Sequence, residues 1–201
     1  MATIAANSIK YLHDRFTKSW HDDPTREPQV MNSWQKLLAR HHFANLELWH
    51  LEDEARDPSA TDSQIAAAKR KIDQTNQRRN DLVEEIDTQV MKVLNTHALP
   101  ALEAPMNSET PGLILDRLSI LELKIYHTRE EVRRKDAPAG HAERNQERLR
   151  LLEEQHTDLA FCLDALWREI LEGKRRFKVY RQLKMYNDAA LNPAIYRKGH
   201  N

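Results

Sequence analysis

The chain has 201 residues, 40% of them hydrophobic, and its 31 Lys plus Arg are balanced by 31 Asp plus Glu. Zero formal charge excludes a general attraction to nucleic acid or anionic membrane, so a charged partner must be met by a local patch. Cys162 is the only cysteine, no apolar run approaches the roughly 20 residues of a bilayer span, and the N-terminus lacks a secretory signal's apolar stretch, so the cytoplasm is the expected location.

Prolines punctuate the chain, because Pro inside a helix costs about 3 kcal/mol. Pro24, Pro28, Pro58, Pro100, Pro105, Pro111, Pro138 and Pro193 all fall between stretches of helical period. The spacing predicts helices over 8–20, 28–56, 62–97, 111–135 and 141–172, and a short sixth over 174–186. Thr61 with Gln64 reads as a capping box, Thr110 before Pro111 as an N-cap with Pro at the first helical position, and Gly173 as a helix end. No strand-like alternation competes with this pattern. The expected fold is all-α, an antiparallel bundle of five to six helices in one domain over 1–201, with a short N-terminal helix and an extended tail from about 187. The long helices also suit a homodimer.

Polar groups interrupt the apolar faces. On the second helix the stripe reads Trp34, Leu37, Leu38, His41, Asn45, Leu48, Glu52 and Ala55, with Trp49 and Arg56 at its edge. The third gives Ile65, Ala68, Ile72, Asn76, Arg79, Val83, Ile86, Val90 and Leu94. On the fourth, Arg117 and Lys124 share a side with Leu113, Ile114, Leu118, Ile120, Leu121 and Ile125, with Asp116 and His127 on the rim. The fifth contributes Leu149, Leu152, His156, Leu159, Leu163, Leu166 and Ile170, and the sixth Phe177, Tyr180, Leu183 and Lys184. Ionised groups are rarely buried without partners, so Arg79, Arg117 and Lys124 should meet carboxylates or an anionic ligand. The structural alternative is that these residues pair among themselves, as Glu52 and Arg56 can at i, i+4, and only fix helix register.

The remaining motifs are weaker. Glu47 to His50 and Glu153 to His156 share the Glu-x-x-His spacing of di-iron bundles, but Glu47 and His50 lie opposite the apolar stripe, and no metal site is expected. Adjacent His41 and His42 cannot both face one point. Glu84-x-x-Asp87, with the acids that end the second helix, loosely matches all-helical nucleotide pyrophosphohydrolases, which hold Mg²⁺ on carboxylates of adjacent helices. The basic stretch 173–186 interleaves aromatics with cations, yet a helix showing cations to water explains it without nucleic acid. Cys162 is expected to fill core space.

Four blocks carry a resemblance: Asn-Leu-Glu-Leu-Trp-His-Leu-Glu-Asp-Glu-Ala-Arg (45–56), Lys-Arg-Lys-Ile-Asp-Gln-Thr-Asn-Gln-Arg-Arg-Asn-Asp (69–81), Asn-Ser-Glu-Thr-Pro-Gly-Leu-Ile-Leu-Asp-Arg-Leu-Ser-Ile-Leu-Glu-Leu-Lys-Ile-Tyr-His (107–127) and Tyr-Arg-Gln-Leu-Lys-Met-Tyr-Asn-Asp (180–188). The chain resembles a bacterial family of proteins of about this length whose domain has no known function. The resemblance implies no activity and no catalytic residues.

The expected function is binding of a small anionic molecule, phosphorylated or sugar-nucleotide-like, at an inner site that can also act on it. Its ligand-binding candidates are His41, Asn45, Glu52, Arg56, Asn76, Arg79, Arg117, Lys124, Tyr180 and Lys184, and its acid-base candidates Glu52, Asp116 and His127. No cofactor is expected, except Mg²⁺ under the pyrophosphohydrolase reading. The competing expectation is an interaction protein that docks on a partner enzyme.

Overall fold

The computed structural model describes residues 4–23, 25, 32–181 and 190–193. They form five helices, α1 (Ala6–Asp22), α2 (Ser33–Arg56), α3 (Asp62–Asn95), α4 (Pro111–Arg133) and α5 (His141–Leu171). No strand occurs among them beyond one isolated bridge between Met106 and Arg176. The protein is an all-α bundle built from two long antiparallel pairs, α2 with α3 and α4 with α5, which α1 ties together by packing on α2, α4 and α5. Among the described residues no helix is long and apolar enough to cross a membrane.

Helix ends follow local chemistry. Thr61 and Gln64 close a reciprocal capping box at the start of α3. Thr110 caps α4 with Pro111 at its first position, and Gly173 takes the left-handed conformation (φ 70°) that ends α5. The second helix starts at Ser33, where the extended Asn32 accepts the Gln35 N–H at 2.9 Å and caps it; positions 28–31 of the predicted helix lie outside the described residues. Asp87 of α3 reaches the α4 N-terminus, where its carboxylate accepts the Gly112 N–H at 2.7 Å and the Thr110 hydroxyl. Burial pushes its pKa up to about 6, against those two hydrogen bonds. A Cβ on Gly112 would stand 2.8 Å from that carboxyl group, so only glycine fits this contact.

The sixth predicted helix does not form over 174–181. After Gly173 reverses the chain, the Arg176 N–H donates to the Pro105 carbonyl at 3.0 Å and its carbonyl accepts from Asn107 at 2.7 Å. The backbone groups a helix needs are thus spent on the α3–α4 connection, and Phe177 is buried there. Residues 182–186, and with them Leu183 and Lys184, lie outside the described residues, as does most of the predicted tail.

The α4 face also differs from its prediction. Its buried residues include Ile114, Leu115, Leu118, Ser119, Glu122, Leu123 and Ile125, an arc rotated by about a third of a turn from the expected one at 100° per residue. Packing against all four other helices explains this, since a helix apolar on most sides gives a sequence no single stripe to read. Arg117 and Lys124 consequently fall on the exposed line of α4. Cys162 is exposed on α5 and fills no core space.

Candidate functional site

Between the lower half of α2, the first half of α3 and the middle of α4 lies a cleft of about 550 Å³. Asn45 is buried at its inner end, whereas Asp53 and Arg56 are exposed at its rim. Asn45, Leu48, Trp49, Glu52, Asp53 and Arg56 come from α2, Ile72, Asn76 and Arg79 from α3, and Ile120, Leu123 and Lys124 from α4. Six of the ten predicted ligand-binding residues are therefore gathered at one place.

Arg79 is the centre of the polar wall. Its side chain is 24% exposed and its Nε stands 3.8 Å from Asp116 Oδ1, too far for a hydrogen bond. That Nε is buried with no hydrogen-bond partner among the described residues. Asp116 is held from behind, accepting the His41 Nε2–H at 2.9 Å and the Asn45 amide at 3.0 Å. Burial pushes the Asp116 pKa up, but His41, Arg79 and Asn45 outweigh it and hold it below the usual carboxylate range. The carboxylate stands beside Arg79 without a hydrogen bond to it. Asn76, one turn before Arg79, and Lys124 opposite have no hydrogen-bond or ion-pair partner among the described residues. Arg56, by contrast, pairs with Glu52 at 2.5 Å, the i, i+4 pair its spacing predicts.

The opposite wall is apolar. Trp49 is stacked on His127, with ring centroids 4.5 Å apart and planes at 14°. Together with Leu46 and Leu123 it joins the smaller of two hydrophobic clusters. His127 thus stands behind Trp49, bonded to Glu130 at 3.0 Å, and does not line the cleft. Burial holds its pKa below the ordinary imidazole value.

Four candidates lie elsewhere. Arg117 is 56% exposed and pairs with Glu109 at 2.8 Å, beyond the N-terminal end of the cleft. Tyr180 is 72% exposed on the extended segment. His41 touches the site only through Asp116, and Lys184 lies outside the described residues. The Glu-x-x-His pairs do not converge either, since Glu47 pairs with Arg78 and Glu153 with Arg129. Among the described residues no group of three or more His, Cys, Asp or Glu side chains is placed to hold a metal ion. Asp87, which the pyrophosphohydrolase reading needs beside the cleft, sits eight residues along α3 beyond Arg79, the nearest cleft residue, about 12 Å at 1.5 Å per residue.

Sequence reasoning missed a second polar cluster that shares Asn45 with the cleft but is sealed from it. His42 is wholly buried, bonded to Thr17 of α1 and Ser119 of α4 at 2.8 Å each, and stacked on His13 at 4.3 Å. Asn45 donates to the same Ser119 at 2.9 Å. Burial, then the neighbouring His41, lowers the His42 pKa to about 3. Nearby, His156 of α5 and Glu122 of α4 face each other at 3.5 Å, both buried. Burial pushes the carboxyl up and brings the imidazole down to about 4. Of these residues His156 stood within the stripe read for the fifth helix, whereas Ser119 and Glu122 lie on the side of α4 away from the predicted face.

No curated protein and no solved structure matches the chain. A family model described as "Protein of unknown function (DUF4254)" matches residues 35–179, a span that runs from the start of α2 to just beyond α5 and contains every helix of the cleft. The chain belongs to the DUF4254 family of proteins of unknown function.

Proposed function

We propose that the protein binds a small anionic molecule in the α2–α3–α4 cleft, with Arg79 and Lys124 holding the anionic group. The observation that carries this reading is the gathering of a guanidinium, an unpaired ammonium and the Asn76 amide around an apolar floor in about 550 Å³. Small-molecule sites have that size and that mixture of mostly apolar lining with a few convergent polar groups. A guanidinium beside a carboxylate that does not hydrogen-bond it keeps the donors along its edge for two parallel hydrogen bonds to a phosphate or carboxylate. Lys124 adds charge from the facing helix at no ion-pair cost. Glu52 is the acid-base candidate at the cleft, and Asp116 acts through Arg79 and His41.

The sealed cluster of Thr17, His42 and Ser119 supports a different role for that part of the network. It has no route to a ligand and bonds α1, α2 and α4 to one another, which suits the fixing of helix register. Function at the cleft and register in the core divide the polar residues between them.

Thermal-shift titration with inorganic phosphate and sugar phosphates, on the wild type and on Arg79→Met and Lys124→Met, tests the cleft. Stabilisation of the wild type that each variant loses while its helix content is unchanged is the expected result. Equal shifts in all three proteins would reject the site.

A further inference from the structure

We infer that the anion is the phosphate of a nucleotide, whose flat base lies against Trp49 and whose sugar hydroxyls meet Glu52 and Asp53; this rests on the anion-binding reading of the same cleft. A tetrahedral anion alone fills only a small part of 550 Å³, so the apolar remainder needs a ligand part of its own. Leu48, Trp49, Ile72, Ile120 and Leu123 provide that surface on all three helices. Trp49 is held in place by His127 stacked at 4.5 Å, so its indole is pre-ordered and loses little freedom when a second ring packs on it.

The polar groups sort along the same axis. Asn76 offers both a donor and an acceptor, the complement of a heterocycle edge. Glu52 and Asp53 are acceptors on the α2 rim, suited to the hydroxyls of a ribose. The same carboxylates repel a chain of phosphates. Two cations face the cleft, Lys124 without an ion-pair partner among the described residues and Arg79 with its Nε unbonded beside Asp116, and they match one phosphate group and not three. The ligand class is therefore a nucleoside monophosphate or a molecule presenting that unit.

Calorimetric titration of the full chain with inorganic phosphate, ribose 5-phosphate, adenosine 5′-monophosphate and uridine 5′-monophosphate tests this, with Trp49→Leu and Trp49→Phe beside the wild type. A base stacked on an indole gains contact that ribose 5-phosphate lacks, so at least one nucleotide should bind about tenfold more tightly than ribose 5-phosphate. Trp49→Leu should erase that margin while keeping the ribose 5-phosphate affinity, and Trp49→Phe should restore most of it. Ribose 5-phosphate binding as tightly as both nucleotides, or a margin that survives Trp49→Leu, overturns the nucleotide assignment and leaves the anion site standing. Failure of all four compounds at millimolar concentration overturns both.

Discussion

Replacing His42 by Gln should remove that residue's own share of the protein's sensitivity to mild acid. His42 is 0% exposed, and its pKa of about 3 in the fold compares with 6.5 for an unhindered imidazole. The folded-state value is depressed, so the unfolded chain takes up the proton first and the contribution to stability is intact above pH 6.5. It is lost as pH falls through the window from 6.5 to 3. At pH 5 the unfolded imidazole is almost fully protonated and the folded one is not, which costs about 2 kcal/mol at 1.36 kcal/mol per unit. Burial dominates the shift, with His41 and His21 adding like-charge repulsion. His13 and His156 work in the same direction, while Asp87 and Glu122 oppose them, so the single-site difference is the quantity to read. Gln can both donate and accept between Thr17 and Ser119, which keeps the core bonds. Urea denaturation followed by circular dichroism at pH 7.5 and pH 5 gives the stability of each protein. The wild-type advantage over His42→Gln should shrink by about 2 kcal/mol between the two pH values. An advantage that is the same at both would show that His42 is not held neutral by the core, and the account of the sealed cluster would fail.

Three further outcomes follow from the geometry. Asp87 has the opposite sign: with a folded pKa of about 6 against 3.8 unfolded, it contributes up to about 3 kcal/mol below pH 3.8 that is lost as pH rises through 6. Asp87→Asn should therefore lack that gain on acidification in the same urea titrations. Gly112→Ala pushes a methyl group into the Asp87 carboxyl and disturbs the α4 cap, for a loss of about 1–3 kcal/mol and a fall in melting temperature of several degrees by calorimetry. Arg117→Met removes only an exposed pair with Glu109, so stability should change by less than about 1 kcal/mol and phosphate-induced thermal shifts should match the wild type.

Five helices were legible because their ends carry their own chemistry: Thr61, Thr110 and Gly173 cap where their residue types say they should. The stripes on α3 and α5 were legible for a related reason, since a helix buried on one side concentrates its apolar residues there, and the α2 stripe was legible in part, with Ala39, His42 and Leu46 buried outside it. That is why Asn45, Glu52, Asn76 and Arg79, placed within those stripes, were found and do share a cleft. The α4 helix was not legible, because apolar residues surround most of it and its wheel has no unique orientation. Arg117 was misplaced as a result, and Ser119 and Glu122 were overlooked. His41 and His42 do face different points, as adjacent helical residues must, but each point is inside the protein, one toward Asp116 and the other toward Thr17 and Ser119. The predicted sixth helix failed for a tertiary reason: amphipathic spacing over 174–186 says nothing about the Pro105 and Asn107 backbone that competes for Arg176.

Two-dimensional NMR of the ¹⁵N-labelled protein during titration with adenosine 5′-monophosphate tests the binding cleft most directly. The Trp49 indole N–H, the Asn45 and Asn76 side-chain amides and the Arg79 Nε–H should shift together with one saturation curve, while Arg117 Nε–H stays fixed. Shifts that avoid these groups, or their absence at millimolar ligand in a folded protein, would contradict a nucleotide site between α2, α3 and α4.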